Sequence, residues 1–96
     1  MQRYLIEHRH TAETCPAGNA EMAGMLAGHL RPENGAEHGV VILADCVHPG
    51  EHIMNVIVES NDGEKVEQFF APFRMAGSVE IKPVVTCEIV AANAHD

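Results

Sequence analysis

The sequence predicts an α+β domain with element order β-α-β-β-α-β, in which a four-stranded antiparallel sheet carries two helices on one face. Four short runs of apolar residues that alternate with polar ones are typical of strands. Two segments with apolar residues at helical spacing follow the first and third of these runs. The 96 residues are the size of one small domain, so we expect a single domain over residues 1–96.

The first half of the chain is predicted to form a strand, a helix and a second strand. Residues 3–9 form the first strand, and a loop with proline and glycine follows it. Asn19 is a favourable N-cap for the helix, which residues 31–35 end before a second strand over residues 40–47. Five residues at helical spacing predict the helix: Met22, Met25, Leu26, His29 and Leu30.

The second half is predicted to form a hairpin strand, a helix and a last strand. Residues 48–51 are a turn and residues 52–60 the third strand. Asn61 or Asp62 caps a helix that ends near residues 76–77, and the last strand spans residues 79–90. Apolar residues on one side of this helix are Val66, Phe69, Phe70 and Phe73.

This order is the split β-α-β pattern of the ferredoxin-like fold. We expect the more apolar side of each strand to face the helices: Tyr4, Ile6, His8, Met54, Val56, Val58, Val79, Ile81, Val85 and Cys87. The other face mixes charges with apolar residues, namely Leu5, Ile53, Ile57, Val84 and Val90. A second copy would cover such a face, so we expect a homodimer.

The composition excludes several classes of partner. The formal net charge is −8, and no run of Lys or Arg exists to bind phosphates, so we expect neither nucleic acid nor a membrane surface as a partner. No apolar stretch has the length of a membrane helix, and the first residues do not resemble a secretory signal. Three cysteines do not suggest a disulfide framework, and the cytoplasm is the expected location.

Seven histidines stand out, and two groups of them suggest a metal site. The first is His8-x-His10 with Cys15 close by, because alternate strand residues point to the same side. Imidazole and thiolate ligands suit zinc, copper, nickel or iron. The alternative is that His8 is a hydrogen-bonded core residue and His10 lies in a solvated loop.

The second group is Cys46-x-His48 with His52, which lies across a short turn. If Cys46 lies opposite Met54 in the hairpin, these side chains form one patch that suits a soft or borderline metal ion. The alternative is a polar turn with solvated histidines, in which Cys46 is a small core residue.

His8 is also a candidate catalytic base. Its position on the apolar side of the first strand places it in a pocket between sheet and helices, next to Cys87 and to Met54 or Val56. Burial would lower its pKa and keep it neutral. Cys15, just before the first helix, is the candidate nucleophile or redox thiol, with His8 or His10 as its base.

Residues 53–62 and 77–81 resemble the hairpin strand, the Asp-containing helix start and the Gly-Ser-Val-Glu start of the last strand in the dimeric α+β barrel superfamily. The pattern is most similar to its short GYD-type domains, although the Gly-Tyr-Asp triplet itself is absent. The resemblance implies a ferredoxin-like dimer. It leaves the function open, because this superfamily contains monooxygenases, isomerases and binding proteins.

These observations favour a small dimeric protein that binds a transition metal or a small molecule through its His and Cys cluster. A cofactor-light enzyme of the α+β barrel kind, with His8 in an apolar pocket, is the alternative. A dimeric module that recognises a protein partner is a third interpretation. The nucleotide and hydrolase motifs GxGxxG, P-loop, HExxH and GxSxG do not occur.

Overall fold

A computed structural model describes residues 1–11 and 19–93 of the chain. Its elements confirm the predicted α+β fold with a four-stranded antiparallel sheet. The strands are β1 (Gln2–Arg9), β2 (Val41–His48), β3 (Ile53–Ser60) and β4 (Ser78–Val84). The helices are α1 (Ala20–His29), α2 (Pro32–Glu37), α3 (Gly63–Phe70), a 3-10 helix (Ala71–Met75) and α4 (Cys87–Asn93).

The sheet has the strand order β2-β3-β1-β4, and every neighbouring pair is antiparallel. The two strands that lie far apart in sequence, β1 and β3, are therefore its centre, as in a ferredoxin-like arrangement. Residue His8 of β1 pairs with Met54 of β3 on one side and with Val79 of β4 on the other. The end of β1 thus lies in the middle of one end of the sheet.

The hydrophobic core lies between the sheet and α3, as the apolar strand parity predicts. Ile6, Val56 and Val58 project from the central strands and are fully buried. Asp62 caps α3 by accepting a hydrogen bond from the amide of Glu64 at 2.9 Å. From α3 and the 3-10 helix, four buried side chains complete the core: Val66, Phe69, Phe70 and Phe73.

Helix α1 and the segment that follows it differ from the prediction in two ways. Asn19 does cap α1, by accepting from the amide of Met22 at 3.1 Å. Residues 31–35 end α1 but also begin α2, because proline is well tolerated at the first position of a helix. No residue of α1 is fully buried, and Met25 is 69% exposed, so α1 contributes less to the core than its spacing predicts.

The last strand is shorter than predicted, and this prediction was wrong beyond Val84. Thr86 accepts a hydrogen bond from the amide of Ile89 at 3.2 Å, and the following residues form α4 instead of a strand. Val85 and Cys87 are exposed and do not join the face under the helices. None of the helices in the described ranges has both the length and the apolar character that a bilayer crossing requires.

The register of the β2–β3 hairpin also differs from the prediction. An irregularity lies between Ile42 and Ala44, and beyond it Cys46 pairs with Asn55 while Val47 pairs with Met54. A shift of one residue moves a side chain to the opposite face of a sheet. Cys46 therefore lies on the face away from the helices, and the predicted Cys46–Met54 pair was wrong.

Candidate functional site

A pocket of about 430 Å³ lies between α1 and the end of the sheet where the β2–β3 hairpin turns. Its walls come from both layers of the fold. Leu26 and Leu30 contribute from the helical side, and Val47 and Met54 from the hairpin strands. Leu30 and Met54 are buried, so this wall is continuous with the core.

Four histidines line this pocket, and three of them have successive ring contacts; we call His8, His10 and His52 the histidine row. The ring centroids of His8 and His10 are 5.2 Å apart, and those of His10 and His52 are 5.4 Å apart. Alternation along β1 explains why His8 and His10 share a face. His52 joins them because the amide of His10 donates a hydrogen bond to the His52 carbonyl at 3.1 Å.

The backbone around His10 and His52 is tightly constrained. His52 has φ of 58°, the left-handed conformation that side-chain-bearing residues adopt only where the structure requires it. On the other side, the turn before β4 passes so close to β1 that a Cβ on Gly77 would overlap the carbonyl oxygen of Arg9. The chain therefore holds the backbone around His10 from two sides.

His8 is 1% exposed, and its Nε2–H donates a hydrogen bond to the carbonyl oxygen of Phe73 at 2.9 Å. Burial lowers the pKa of His8, the Phe73 hydrogen bond opposes this effect, and the neighbouring His10 lowers the pKa further. The ring is therefore neutral near pH 7, with its proton on Nε2 and a lone pair on Nδ1. A neutral imidazole can act as a base or as a metal ligand.

Neither ring nitrogen of His10 has a hydrogen-bond partner within the described part of the chain, although both atoms are buried. Desolvation lowers the pKa of His10, and the neighbouring His52 lowers it further. Other atoms of His10 remain partly exposed, so burial is concentrated at its polar atoms. Buried polar atoms in native structures nearly always have partners, and an orphan one calls for an explanation.

The second predicted group does not form one patch with Met54, because Cys46 lies on the opposite face of the sheet. The Nε2–H of His48 donates to Oδ1 of Asn55 at 2.9 Å on the face away from the helices, although His48 also borders the pocket. Cys46 is exposed beside Asn55 and does not line the pocket. Only His52 of this group lies in the histidine row.

Neither of the two described cysteines, Cys46 and Cys87, lines the pocket. Cys15 lies outside the described residues, so its predicted roles as nucleophile and ligand stay predictions. Cys87 begins α4 and is exposed, and its predicted place beside His8 is occupied by Val79. Among residues 1–11 and 19–93, no group of three His, Cys, Asp or Glu side chains has the arrangement of a metal site.

Sequence reasoning missed the wall of the pocket that α1 provides. Ala23 and Ala27 line the pocket, and such small residues gave no signal by themselves. Their spacing of four residues on one helix face, beside Leu26, was the pattern that could have indicated them. Small side chains leave room between helix and sheet, which explains why a pocket exists here.

The chain matches, over residues 2–95, the family described as a domain of unknown function, DUF3303. It belongs to the DUF3303 family. No curated protein and no solved structure matches the chain. The DUF3303 match thus covers the histidine row and both walls of the pocket, while the specific resemblance to GYD-type domains stays a prediction.

Proposed function

We propose that this DUF3303 domain binds a small, mainly apolar organic molecule in the pocket between α1 and the sheet. The pocket volume of about 430 Å³ is within the range of small-molecule sites, which is roughly 300–1,000 Å³. Apolar walls with a few polar groups at one end are typical of such sites. The histidine row supplies that polar end here.

The apolar wall provides the driving force for binding. Ala23 and Leu26 from α1 and Met54 from β3 line the pocket. An apolar ligand removes this surface from water, and the flexible thioether of Met54 adapts to its shape. The walls therefore favour a compact hydrocarbon or aromatic body.

The observation that carries the proposal is that both ring nitrogens of His10 are buried and have no hydrogen-bond partner among the described residues. Leaving a buried polar atom without a partner costs about 1–3 kcal/mol. A ligand that hydrogen-bonds to His10 recovers this free energy. The ligand-free protein is therefore less stable by this amount, and binding of a ligand restores the lost stability. This is what we expect of a recognition site.

The test is binding of the uncharged fluorescent probe N-phenyl-1-naphthylamine, whose emission rises in apolar surroundings. We expect saturable binding at one site per chain and its loss in Ala23→Leu, because the larger side chain fills the pocket. Ala36→Leu is the matched control, since Ala36 is exposed on α2 outside the pocket. Equal binding by Ala23→Leu and the wild-type chain would contradict the proposal.

Metal binding by the histidine row is a second candidate, with zinc, copper, nickel or iron as the ion. It is favoured by the successive ring spacings of 5.2 and 5.4 Å and by the two His10 nitrogens that have no partner within residues 1–11 and 19–93. His8 would coordinate the metal through Nδ1, since its Nε2–H donates a hydrogen bond to the carbonyl oxygen of Phe73. In the present arrangement the described residues do not form a three-ligand group, so this candidate ranks second.

Elemental analysis of freshly purified, untagged protein separates the two candidates. About one transition-metal ion per chain, lost in His10→Phe and retained in His38→Phe, supports a metal centre. His38 is a suitable control because it is exposed and lies outside the pocket. A metal-free protein that binds the probe supports the small-molecule site alone.

A further inference from the structure

We infer that the pocket selects uncharged ligands that carry a hydroxyl group, a phenol or an alcohol, over carboxylates and plain hydrocarbons. This inference rests on the proposed small-molecule function and specifies its ligand class. It follows from which hydrogen-bonding atoms the histidine row offers and from which charges the pocket lacks.

His10 offers one donor and one acceptor. A neutral imidazole has a proton on one nitrogen and a lone pair on the other, and both nitrogens of His10 are unpartnered within the described residues. A ligand group that only accepts satisfies one of them, and so does a group that only donates. The two nitrogens point away from each other across the ring, so one hydroxyl engages only one of them and needs its second partner on a neighbouring ring.

His8 offers a second acceptor beside His10. Its Nε2–H is committed to the carbonyl oxygen of Phe73 at 2.9 Å, which leaves the lone pair on Nδ1. The centroid of its ring lies 5.2 Å from that of His10. A hydroxyl bound between the two rings can accept from the N–H of His10 and donate to Nδ1 of His8, whereas a carboxylate has no proton to donate.

The charges around the pocket also disfavour anionic ligands. The described lining residues include no lysine and no arginine, and their one carboxylate, Asp45, is exposed on the edge strand β2. A carboxylate or phosphate ligand would therefore lose its hydration without gaining a cationic partner. Burial of an unpaired charge is unfavourable by several kcal/mol.

The experiment compares 4-propylphenol, propylbenzene and 4-propylbenzoate, which share one apolar body, by displacement of N-phenyl-1-naphthylamine from the full chain. We expect 4-propylphenol to bind at least about tenfold more tightly than the other two, which is the effect of one or two net hydrogen bonds. In His10→Phe the preference over propylbenzene should fall to about twofold, and in His38→Phe it should persist.

Three outcomes would overturn the inference. Equal affinities for 4-propylphenol and propylbenzene would show that the histidine row contributes no selectivity, while the proposed binding function stands. Tighter binding of 4-propylbenzoate would show that the pocket takes anions. If the probe itself does not bind, the proposed function fails together with this inference. The order of the three affinities in the wild-type protein tests the inference even if His10→Phe does not fold.

Discussion

The side chain of His8 and the backbone of Phe73 are joined by a hydrogen bond of 2.9 Å across 65 positions of sequence. The bond ties the end of the central strand β1 to the 3-10 helix that follows α3. The ring of Phe73 also contacts the His8 ring edge-on, with centroids 5.5 Å apart. One histidine thus belongs to the core and to the pocket wall, so the stability of the fold and the geometry of the site depend on the same residue.

Replacement of His8 should therefore destabilise the fold. We expect His8→Ala to lower the free energy of unfolding by about 2–4 kcal/mol, because it leaves a cavity and an orphan carbonyl. His8→Phe leaves no cavity but removes the hydrogen bond to Phe73, and it should lower the free energy of unfolding by about 1–3 kcal/mol. Urea unfolding measures both. His38→Ala, at an exposed position, should change the value by less than about 1 kcal/mol.

The stability should fall when the pH is lowered from 7.5 to 5.5. Burial lowers the pKa of His8 and of His10 below 6.5 in the folded state, so the unfolded chain takes up protons first as the pH falls. With respect to these two groups, the free energy of unfolding is highest about one unit or more above pH 6.5. It falls as the pH drops through the unfolded-state pKa of 6.5 towards the lower folded-state pKa, by at most about 1.4 kcal/mol per pH unit for one histidine.

Urea unfolding at pH 7.5, 6.5 and 5.5 measures this slope. The double variant His8→Phe, His10→Phe should have a clearly smaller dependence over the same interval. A wild-type protein that is more stable at pH 5.5 than at pH 7.5 would contradict the assigned direction of both shifts.

Gly77 should be intolerant of any side chain. A Cβ there would overlap the carbonyl oxygen of Arg9 and lie 3.0 Å from the Cα of His10. We expect Gly77→Ala to lower the free energy of unfolding by about 1–3 kcal/mol and to weaken binding of N-phenyl-1-naphthylamine, since the shift displaces His10. The comparison is Gly28→Ala on α1, where nothing lies within 4 Å of the new Cβ. The free energy of unfolding of that variant should rise by up to about 1 kcal/mol, because alanine has a higher helix propensity than glycine.

The parts of the fold that local pattern determines could be predicted from the sequence. Alternation of Ile6 and His8 with the charged Glu7 and Arg9 places both on the buried face of β1, and the structure confirms it. The spacing of Val66, Phe69 and Phe70 likewise predicts the buried side of α3. In each case the signal lies within a single element, so no knowledge of the partner strand is needed.

The end of β4 depends on its neighbour and could not be read locally. Val84 pairs with Arg3, and β1 begins at Gln2, so residues after Val84 have almost no strand left to pair with. The apolar run up to Val90 therefore forms α4. In the same way, His52 meets His10 only because Arg9 pairs with Ile53, a register that no local pattern specifies.

The face of the sheet away from the helices should mediate a homodimer. Its apolar centre is Leu5 and Ile57, which pair across β1 and β3, and Ile57 is 36% exposed. Six charged side chains on the same face form three ion pairs within the chain: Arg3 with Glu59, Arg9 with Glu7, and Lys82 with Glu80. A face whose charges are already paired is covered by a second copy at a lower desolvation cost than one with unpaired charges.

Light scattering tests this prediction through the molar mass, which we expect to be twice the chain mass of 10.4 kDa. Ile57→Asp should reduce it to that of one chain, because the new carboxylate would be buried without a partner at the centre of the interface. Met75→Asp, at a position 91% exposed on the 3-10 helix, should leave the dimer intact. A wild-type protein with the mass of one chain would show that this face is exposed to water, and its paired charges would then serve to keep it soluble.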